Sequence, residues 1–242
     1  MRRYSGLGAL LIFMAAAAWF AIGDKQAPQR NECQDRGNCR TEKRDTAPVP
    51  TSTGGFDFYV LALSWSPTYC SSDEGSGNRQ QCGTDKDYGF IVHGLWPQNE
   101  RGYPESCDSR EPERVPDSLG RSLFDIMPSM GLIGHQWRKH GTCSGLSQAD
   151  YFKTLRAAWN RLSIPADLRR PQTSKRLSGD EIVRKMTAAN AGLGKDAIAL
   201  TCNDGQLDEI RICFTKDLKF RDCAGAGRQS CRKNTVTLPA AP

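Results

Sequence analysis

The chain has 242 residues, 38% of them hydrophobic and 25% charged, and a formal net charge of +6 at pH 7. The length fits one domain of roughly 180–200 residues with extensions at its ends, which excludes a mini-protein that needs a structural metal to fold. The composition is that of an ordinary globular protein. Its modest positive charge favours a polyanionic partner but does not establish one.

Ten cysteines are present, an even number, and none of them forms a CxxC pair. This spread argues against zinc ribbons and indicates disulfides formed in an oxidising compartment. The cysteines are Cys33, Cys39, Cys70, Cys82, Cys107, Cys143, Cys202, Cys213, Cys223 and Cys231.

The first 23 residues have the pattern of an export signal. Arg2 and Arg3 precede a charge-free run of 20 residues, 4–23, as an n-region precedes an h-region. No A-x-A cleavage site closes the run, and its length also suffices to span a bilayer as an uncleaved anchor. A buried core helix is a further interpretation, against which the two arginines argue. Residues 1–23 are therefore predicted to be a signal peptide or a signal-anchor, and the protein to be secreted or periplasmic, or membrane-anchored if the segment stays uncleaved.

Residues 24–55 are predicted to be a flexible linker. They are polar and rich in charges, contain several prolines and end in the Thr-Ser-Thr-Gly-Gly stretch of residues 51–55, a composition typical of a tether. Cys33 and Cys39 both lie in this segment and are expected to form a disulfide with each other.

The folded domain is predicted to begin with two strands. Residues 56–66 and 88–95 are rich in aromatic, β-branched and aliphatic side chains, which favours strands. The Ser-, Asp-, Gly- and Asn-rich segment 71–87 between them is typical of a loop. A disulfide between Cys70 and Cys82 is the simplest closure of this loop.

Three helices are predicted in the middle of the chain. Residues 119–127 fit a short helix. Residues 147–162 favour a longer one, because Ser147 resembles an N-cap before apolar residues that recur on one face. A third helix is predicted to follow the capping box that begins at Ser178 and to stop near Gly192.

A β-hairpin is predicted near the C-terminus. Residues 197–201 and 210–214 flank an Asn-Asp-Gly turn, and the second segment alternates apolar with polar residues, which is typical of a strand. Strands and helices mix without regular βαβ repetition, so the sequence predicts an α+β fold. The domain is predicted to span residues 56–235, followed by a C-terminal tail, residues 236–242.

The three histidines of the chain lie in two short segments, FIVHGLWPQ at residues 90–98 and GHQWRKHGTC at residues 134–143. A lone histidine is usually an ordinary surface or core residue. Histidine is, however, the side chain whose proton moves near neutral pH. Three of them confined to two segments therefore indicate a site for proton transfer.

If the second segment is a helix, each residue advances about 100° around the axis. Relative to His135, Lys139 falls at about 40° and Gln136 at about 100°. His140 follows at about 140°, whereas the tryptophan and the arginine of the segment fall outside this arc. The pattern predicts one polar face with two histidines, a lysine and an amide, and Gly141 is expected to end the helix.

Two other interpretations of this face stay open. Most polar helix faces are simply solvated. A zinc site is the second alternative, but His135 and His140 are five residues apart rather than the four of HExxH, and no carboxylate lies between them. No metal and no cofactor are therefore predicted.

Two imidazoles and a lysine suit phosphoryl transfer. One imidazole takes the proton of an attacking hydroxyl, the other protonates the leaving oxygen, and the cation stabilises the charge of the phosphorane. RNA carries its own nucleophile, the 2′-hydroxyl, so no metal-bound water is needed. DNA lacks this group, and RNA rather than DNA is the predicted partner.

The two histidine segments resemble the paired active-site motifs of the T2 ribonuclease family, a group of exported, disulfide-containing acid–base endoribonucleases. The similarity covers most of residues 56–231. Besides HGLWPQ and WRKHGTC, the segment LALSWSPTYC at residues 61–70 resembles the family's first strand, and LDEIRIC at residues 207–213 resembles its C-terminal strands. The resemblance implies a central, mainly antiparallel sheet packed by helices and stapled by disulfides. It also implies the pairs Cys107–Cys143, Cys202–Cys231 and Cys213–Cys223, although ten cysteines allow many pairings.

The resemblance implies a role for each matching residue. His140 resembles the general base that takes the 2′-hydroxyl proton, and His93 the general acid that protonates the 5′-oxygen. His135 resembles the phosphate-binding histidine, and Lys139 the cation that stabilises the pentavalent state. Trp96 matches a position in the substrate cleft, where an indole can stack on a base; core packing is an equally good interpretation of this tryptophan.

One position departs from the family pattern. The family usually has a glutamate after the first histidine of the second motif, and here the residue is Gln136. An amide can hydrogen-bond a phosphate oxygen, but it neither exchanges a proton nor tunes neighbouring imidazoles by its charge. The sequence predicts a monomeric endoribonuclease that cleaves single-stranded RNA through a 2′,3′-cyclic phosphate to 3′-phosphate ends. A catalytically weakened RNA-binding member of the same fold is the alternative that Gln136 motivates.

Overall fold

The structure is a computed structural model that describes residues 50, 53–83, 85–223, 231 and 235–241. The predicted signal or anchor segment lies outside the described residues, as do most of the predicted linker and the expected Cys33–Cys39 disulfide. Within the described part of the chain, no helix is long and apolar enough to cross a membrane.

A six-stranded sheet forms the centre of the described domain. Its strands are β1 (Phe58–Trp65), β2 (Phe90–Gln98), β3 (Lys175–Leu177), β4 (Ile198–Asn203), β5 (Gln206–Phe214) and β6 (Val236–Leu238). The order is β2-β1-β5-β6-β3, and β4 also pairs with β5. All pairs are antiparallel except the short parallel contact of β5 with β6. The predicted α+β fold around a mainly antiparallel sheet is confirmed.

The longer helices pack against this sheet through apolar side chains, which join one large core cluster with β1 and β5. The helices of the described segments are α1 (Ser66–Cys70), α2 (Arg79–Cys82), α3 (Asp117–Arg121), α4 (Met130–Lys139), α5 (Gln148–Asn160), α6 (Ala166–Arg169) and α7 (Gly179–Ala189), with 3₁₀ turns at Gly141–Ser144 and Lys195–Ala197.

Serine caps fix where three of these helices begin. The side chains of Ser147 and Ser178 each accept a hydrogen bond from the backbone N–H three residues further on, as the sequence predicts. Ser129 caps α4 in the same way. Each cap satisfies one of the backbone donors that a helix leaves unpaired at its N-terminus.

The helix predicted over residues 119–127 begins earlier and is shorter than expected. It ends at Arg121, and the chain continues in turns. The Ser122 hydroxyl donates to the Leu119 carbonyl at 2.6 Å. Such local bonds from serine compete with the helical hydrogen-bond ladder.

Strand β1 lies between β2 and β5, and all eight of its residues are buried. Leu61 and Leu63 belong to the large core cluster, whereas Phe58 and Val60 pack with the buried half-cystines Cys213 and Cys223 on the other face. Burial on both faces explains why this strand reads as a continuous apolar run rather than an alternating one.

The predicted domain boundaries need two corrections. Residues 236–242 were expected to be a tail, but Val236–Leu238 form β6, which pairs with β3 and β5 and buries Val236 and Leu238. At the other end, the Gly54 N–H donates to the Ser144 carbonyl at 3.1 Å, so the last residues of the predicted linker belong to the domain. Both segments are too short to carry a periodic signal.

Four disulfides join the described cysteines, and they are the four pairs that the sequence predicts among these residues. They are Cys70–Cys82, Cys107–Cys143, Cys202–Cys231 and Cys213–Cys223.

Candidate active site

A cleft of about 860 Å³ is lined by side chains from β1, β2, β5, α4 and the loop after β2. It brings together all six residues predicted for the site, which are His93, Trp96, His135, Gln136, Lys139 and His140. The remaining lining residues are Val60, Gln98, Asn99, Glu100, Arg101, Gly102, Tyr103 and Arg211.

A β-bulge places His93 in this cleft. Across the β1–β2 pair, Gly94 lies opposite Ala62 and Val92 lies opposite Leu63, so His93 has no partner on β1. An extra residue of this kind breaks the ladder locally and re-aims its side chain. The bulge depends on strand register, which the sequence pattern alone does not reveal.

Helix α4 carries the second set of site residues. Its inner face buries Ile133 and Trp137 completely, and the Trp137 indole donates to the Pro112 carbonyl at 2.8 Å. With this face fixed in the core, His135 and Lys139 point to the exposed side. The helix ends at Lys139, so His140 is its C-cap rather than its last helical residue, one position earlier than the predicted end.

Gln136 is buried, with only 1% of its surface exposed, although the sequence places it on the polar face. Its side-chain oxygen accepts a hydrogen bond of 2.8 Å from the Trp96 indole. Because an indole N–H only donates, the amide oxygen must be the atom that faces Trp96. The amide nitrogen is then the donor that Gln136 can present to the cleft.

Gly94 allows this contact to form. A Cβ atom at this position would collide with the Gln136 amide oxygen and lie 2.5 Å from the Trp96 indole nitrogen. The glycine of HGLWP is thus required by the close approach of helix α4 to strand β2.

Trp96 both packs and lines the cleft. It is partly buried against the cluster that includes Phe58 and Val60. The centroid of the Trp96 ring lies 5.4 Å from the ring centroid of His93 and 5.3 Å from the ring centroid of His140. The guanidinium carbon of Arg211 lies 5.2 Å from the same Trp96 centroid. The two interpretations of this tryptophan are therefore both compatible with its position.

His140 is held neutral by its surroundings. Burial first, and then the positive charges of Lys139 and the other histidines, lower its pKa to about 3. The residue is 7% exposed, and its Nδ1 has no hydrogen-bond partner among the described residues. At neutral pH an uncharged His140 is able to accept a proton.

The other two cationic candidates are more accessible. His135 is exposed, and burial together with the nearby charge of Lys139 lowers its pKa. The Lys139 ammonium lies 3.5 Å from the Glu105 carboxylate, with both side chains more than 40% exposed. Such a surface pair is weak, so the lysine can turn towards a bound anion.

A buried carboxylate stands behind His93. One oxygen of Glu209, in β5, lies 2.5 Å from the His93 Nδ1. The other oxygen accepts a hydrogen bond of 2.8 Å from the Arg211 Nε. Burial alone would raise the pKa of Glu209, but its hydrogen bonds and the charges of His93 and Arg211 hold it below its usual value.

No group of three or more His, Cys, Asp or Glu residues in the described segments is arranged to hold a metal ion.

Comparison with known proteins identifies the family. The sequence model of the family described as "Ribonuclease T2 family" matches residues 56–223 of the chain. The chain belongs to the ribonuclease T2 family.

Relatives of this T2 chain include a "Ribonuclease" of Aeromonas hydrophila, 47% identical over 98 residues, which are 40% of this chain and 42% of that protein. A "Probable ribonuclease" of Haemophilus influenzae is 30% identical over 69% of this chain and 61% of its own length. The chain thus spans less than two thirds of either relative. The "Ribonuclease DdI" of Dictyostelium discoideum is 30% identical over 77% of this chain and 86% of its own length.

The T2 fold is also similar to solved structures. The "RNase-related protein from Calystegia sepium" has a TM-score of 0.62 at 22% identity and covers 77% of this chain and 98% of its own. "RNase NT in complex with 5′-AMP" has a TM-score of 0.61 at 24% identity and covers 76% of this chain and 98% of its own.

Sequence reasoning about this T2 chain missed Glu209 and Arg211 as site residues. A signal was present, because the two opposite charges alternate with Ile210 and Ile212 along this strand. Alternate residues share one face of a strand, so the pattern places both charges on the face opposite the isoleucines. Which element faces them depends on the sheet order.

Proposed function

We propose that this protein is an endoribonuclease that cleaves single-stranded RNA by transphosphorylation, using His140 as base and His93 as acid. The observation that carries the proposal is the contrast between the two imidazoles of one cleft. His140 is buried beside positive charges, which favours its neutral form, whereas His93 is partly exposed and its Nδ1 contacts the buried carboxylate of Glu209. When the surroundings of two titratable groups in one site differ in this way, one group is expected to act as the base and the other as the acid. Here these are His140 and His93.

In the first step, His140 Nε2 takes the proton of the 2′-hydroxyl as the 2′-oxygen attacks phosphorus. The new O2′–P bond forms while the P–O5′ bond breaks, and the His93 Nε2 proton goes to the departing 5′-oxygen. The product is a 2′,3′-cyclic phosphate. In a slower second step, His93 and His140 exchange roles, and water opens the ring to leave a 3′-phosphate.

Base action at Nε2 requires the hydrogen of neutral His140 to reside on Nδ1. Among the described residues that atom has no hydrogen-bond partner, and burial together with the neighbouring positive charges makes the protonated ring costly in the free protein. The negative charge of a bound phosphate offsets this cost. Proton uptake by His140 is thus coupled to the presence of the substrate.

The remaining residues hold the charge of the phosphorane. His135 and Lys139 are accessible side chains of α4 that line the cleft, and we assign them to phosphate binding and to the pentavalent state. Gln136 contributes its amide N–H to a non-bridging oxygen. Preorganised donors of this kind are among the larger contributions to catalysis.

The structure of RNase NT with 5′-AMP supports nucleotide binding by this fold. We propose that Trp96 contributes an indole surface to the substrate cleft.

Because the nucleophile comes from the 2′-hydroxyl, DNA is not a substrate and no metal-bound water takes part. The four disulfides among the described cysteines support export to the periplasm or secretion.

The test is the cleavage of single-stranded RNA by the purified protein in the presence of a chelator. Cleavage is expected without added metal. His93→Ala and His140→Ala are each expected to lower the rate by a factor of about 10² or more while the circular dichroism spectrum stays native. Cleavage that needs a divalent metal, or that survives both substitutions, contradicts the mechanism.

The catalytically weakened RNA-binding alternative rests on Gln136 alone. Single-turnover hydrolysis of a nucleoside 2′,3′-cyclic phosphate separates it from the enzyme. An enzyme opens the ring, whereas a binding protein retains the cyclic phosphate unchanged.

A further inference from the structure

Glu209 contacts His93 Nδ1, but the reaction steps described so far give the carboxylate itself no task. It is 4% exposed, and a buried carboxylate is costly unless it is paired and hydrogen-bonded. Both of its oxygens are used, one by His93 and one by Arg211. The three side chains therefore form a continuous chain of charge-assisted contacts from Arg211 through Glu209 to His93.

We propose that Glu209 is a positioning residue that holds His93 with its hydrogen on Nδ1, so that Nε2 faces the cleft and delivers the proton to the leaving 5′-oxygen. This inference rests on the proposed function. It names the residue that orients the proposed general acid, His93. An ionised carboxylate only accepts hydrogen bonds. The 2.5 Å contact thus requires Nδ1 to be the donor.

The position of His93 makes such support necessary. As the bulged residue of β2 it lacks a partner on β1, and 37% of its side chain is exposed. Without a fixed partner, an exposed imidazole samples both tautomers and several rotamers. Glu209 removes this freedom from a rigid central strand that pairs on both sides, with β1 and with β4.

Arg211 completes the arrangement. Its Nε and one terminal nitrogen lie 2.8 and 2.7 Å from the same Glu209 oxygen, which anchors this oxygen and leaves the other to His93. The charged and titratable groups around His93 are Glu209, Arg211 and Asp208 from β5, and His135 and His140 from α4 and its C-cap. Of these, Glu209 is the one in hydrogen-bond contact with the ring among the described residues.

The first test compares two leaving groups. On an RNA dinucleotide, Glu209→Gln is expected to lower kcat by a factor of about 10²–10⁴ with little change in KM, as loss of an orienting carboxylate does elsewhere. On a nucleoside 3′-(4-nitrophenyl phosphate), whose leaving phenolate needs no proton, Glu209→Gln and His93→Ala are both expected to come within about tenfold of the wild type. His140→Ala stays impaired on both substrates, because the attacking hydroxyl still needs a base.

Asp208→Asn is the matched control. Asp208 is the neighbouring carboxylate and bonds the Thr201 hydroxyl instead of His93, so this variant is expected to keep the wild-type kcat on both substrates. Equal losses for Glu209→Gln on both substrates, or a loss of less than threefold on RNA, overturn the proposal. Wild-type protein that cleaves neither substrate contradicts the proposed function instead.

A second measurement does not depend on whether the Glu209 variant folds. The ¹⁵N chemical shifts of the His93 ring in the wild-type protein, at a pH where the ring is neutral, report which nitrogen carries the hydrogen. We expect the Nδ1–H form. A dominant Nε2–H form overturns the proposal.

Discussion

Gln136 shows how one neutral residue fits where the family resemblance implies a carboxylate. Its oxygen is bound to Trp96 at 2.8 Å, and the residue is 1% exposed. A glutamate in the same place would accept the same indole hydrogen but turn a second oxygen towards the phosphate. The amide instead offers a donor whose strength does not change with pH.

Gln136→Glu is therefore expected to make catalysis more dependent on pH. At neutral pH the new carboxylate repels the phosphate, and kcat/KM on RNA falls; below the pKa of the new group, the protonated acid donates as the amide does. The ratio of variant to wild-type kcat/KM should rise steadily from pH 8 to pH 4. Gln136→Leu, which has no donor, serves as the control and should stay low throughout. A Gln136→Glu ratio that is constant across pH contradicts this role.

Single residues also mark the limit of sequence prediction. The three histidines, Lys139 and Gln136 were predictable because a helical period and two short motifs group them. Glu209 was not, because it lies 116 positions from His93 in the chain and meets it only through the order β2-β1-β5. Buried polar contacts across a sheet leave no local periodic signal.

At the level of elements, the site depends on how closely strand β2 approaches helix α4. Gly94 lies at this contact, where a side chain would meet Gln136 and Trp96. The capped start of α4 at Ser129, its buried Trp137 and the Cys107–Cys143 disulfide after its end hold the helix in place. The helix therefore has little freedom to move away from an added methyl group.

Gly94→Ala is expected to displace Gln136 and lower both stability and activity. Overpacking of this kind costs about 1–3 kcal/mol in the free energy of unfolding, and denaturant titration measures it. Gly194→Ala is the matched control, since no described atom lies within 4 Å of a Cβ there and its φ is −78°. Equal stability and activity of the two variants contradicts the close contact.

The sequence predicts where a helix begins when an N-cap residue marks its start, as Ser147 and Ser178 do. Boundaries without such a cap are harder to predict. The short helix α3 ends early, where the Ser122 hydroxyl donates to the Leu119 carbonyl and competes with the helical hydrogen bonds. The sequence predicts a tail where the three-residue strand β6 lies, because the place of β6 in the sheet comes from long-range pairing with β3 and β5. Tertiary contacts decide such short elements.

For the whole molecule, the buried neutral His140 makes folding sensitive to acid. Its pKa is about 3 in the folded protein against an ordinary value of 6.5. Between these values the unfolded chain binds a proton that the folded protein does not. The free energy of unfolding therefore falls as pH drops from 6.5 towards 3, at up to about 1.4 kcal/mol per pH unit from this residue.

His140→Asn is expected to flatten this dependence. Chemical unfolding at a series of pH values measures how the free energy of unfolding changes with pH. Between pH 6 and pH 4 this slope should be smaller than in the wild type by up to about 1.4 kcal/mol per pH unit, the contribution of one proton. The exposed His135→Asn variant serves as the control and should keep most of the wild-type slope. An unchanged slope in His140→Asn means that the ring is not held neutral, and the assignment of the base loses its physical support.

The central claim is that two histidines of one cleft transfer the phosphoryl group to the substrate's own 2′-oxygen. The most direct measurement is ³¹P NMR of a dinucleotide and its 2′-deoxy counterpart, each incubated with the protein and a chelator. The account predicts a 2′,3′-cyclic phosphate signal from the ribose substrate, its later conversion to a 3′-phosphate, and no reaction of the deoxy compound. Cleavage of the deoxy compound, or a first product without the cyclic phosphate, would contradict it.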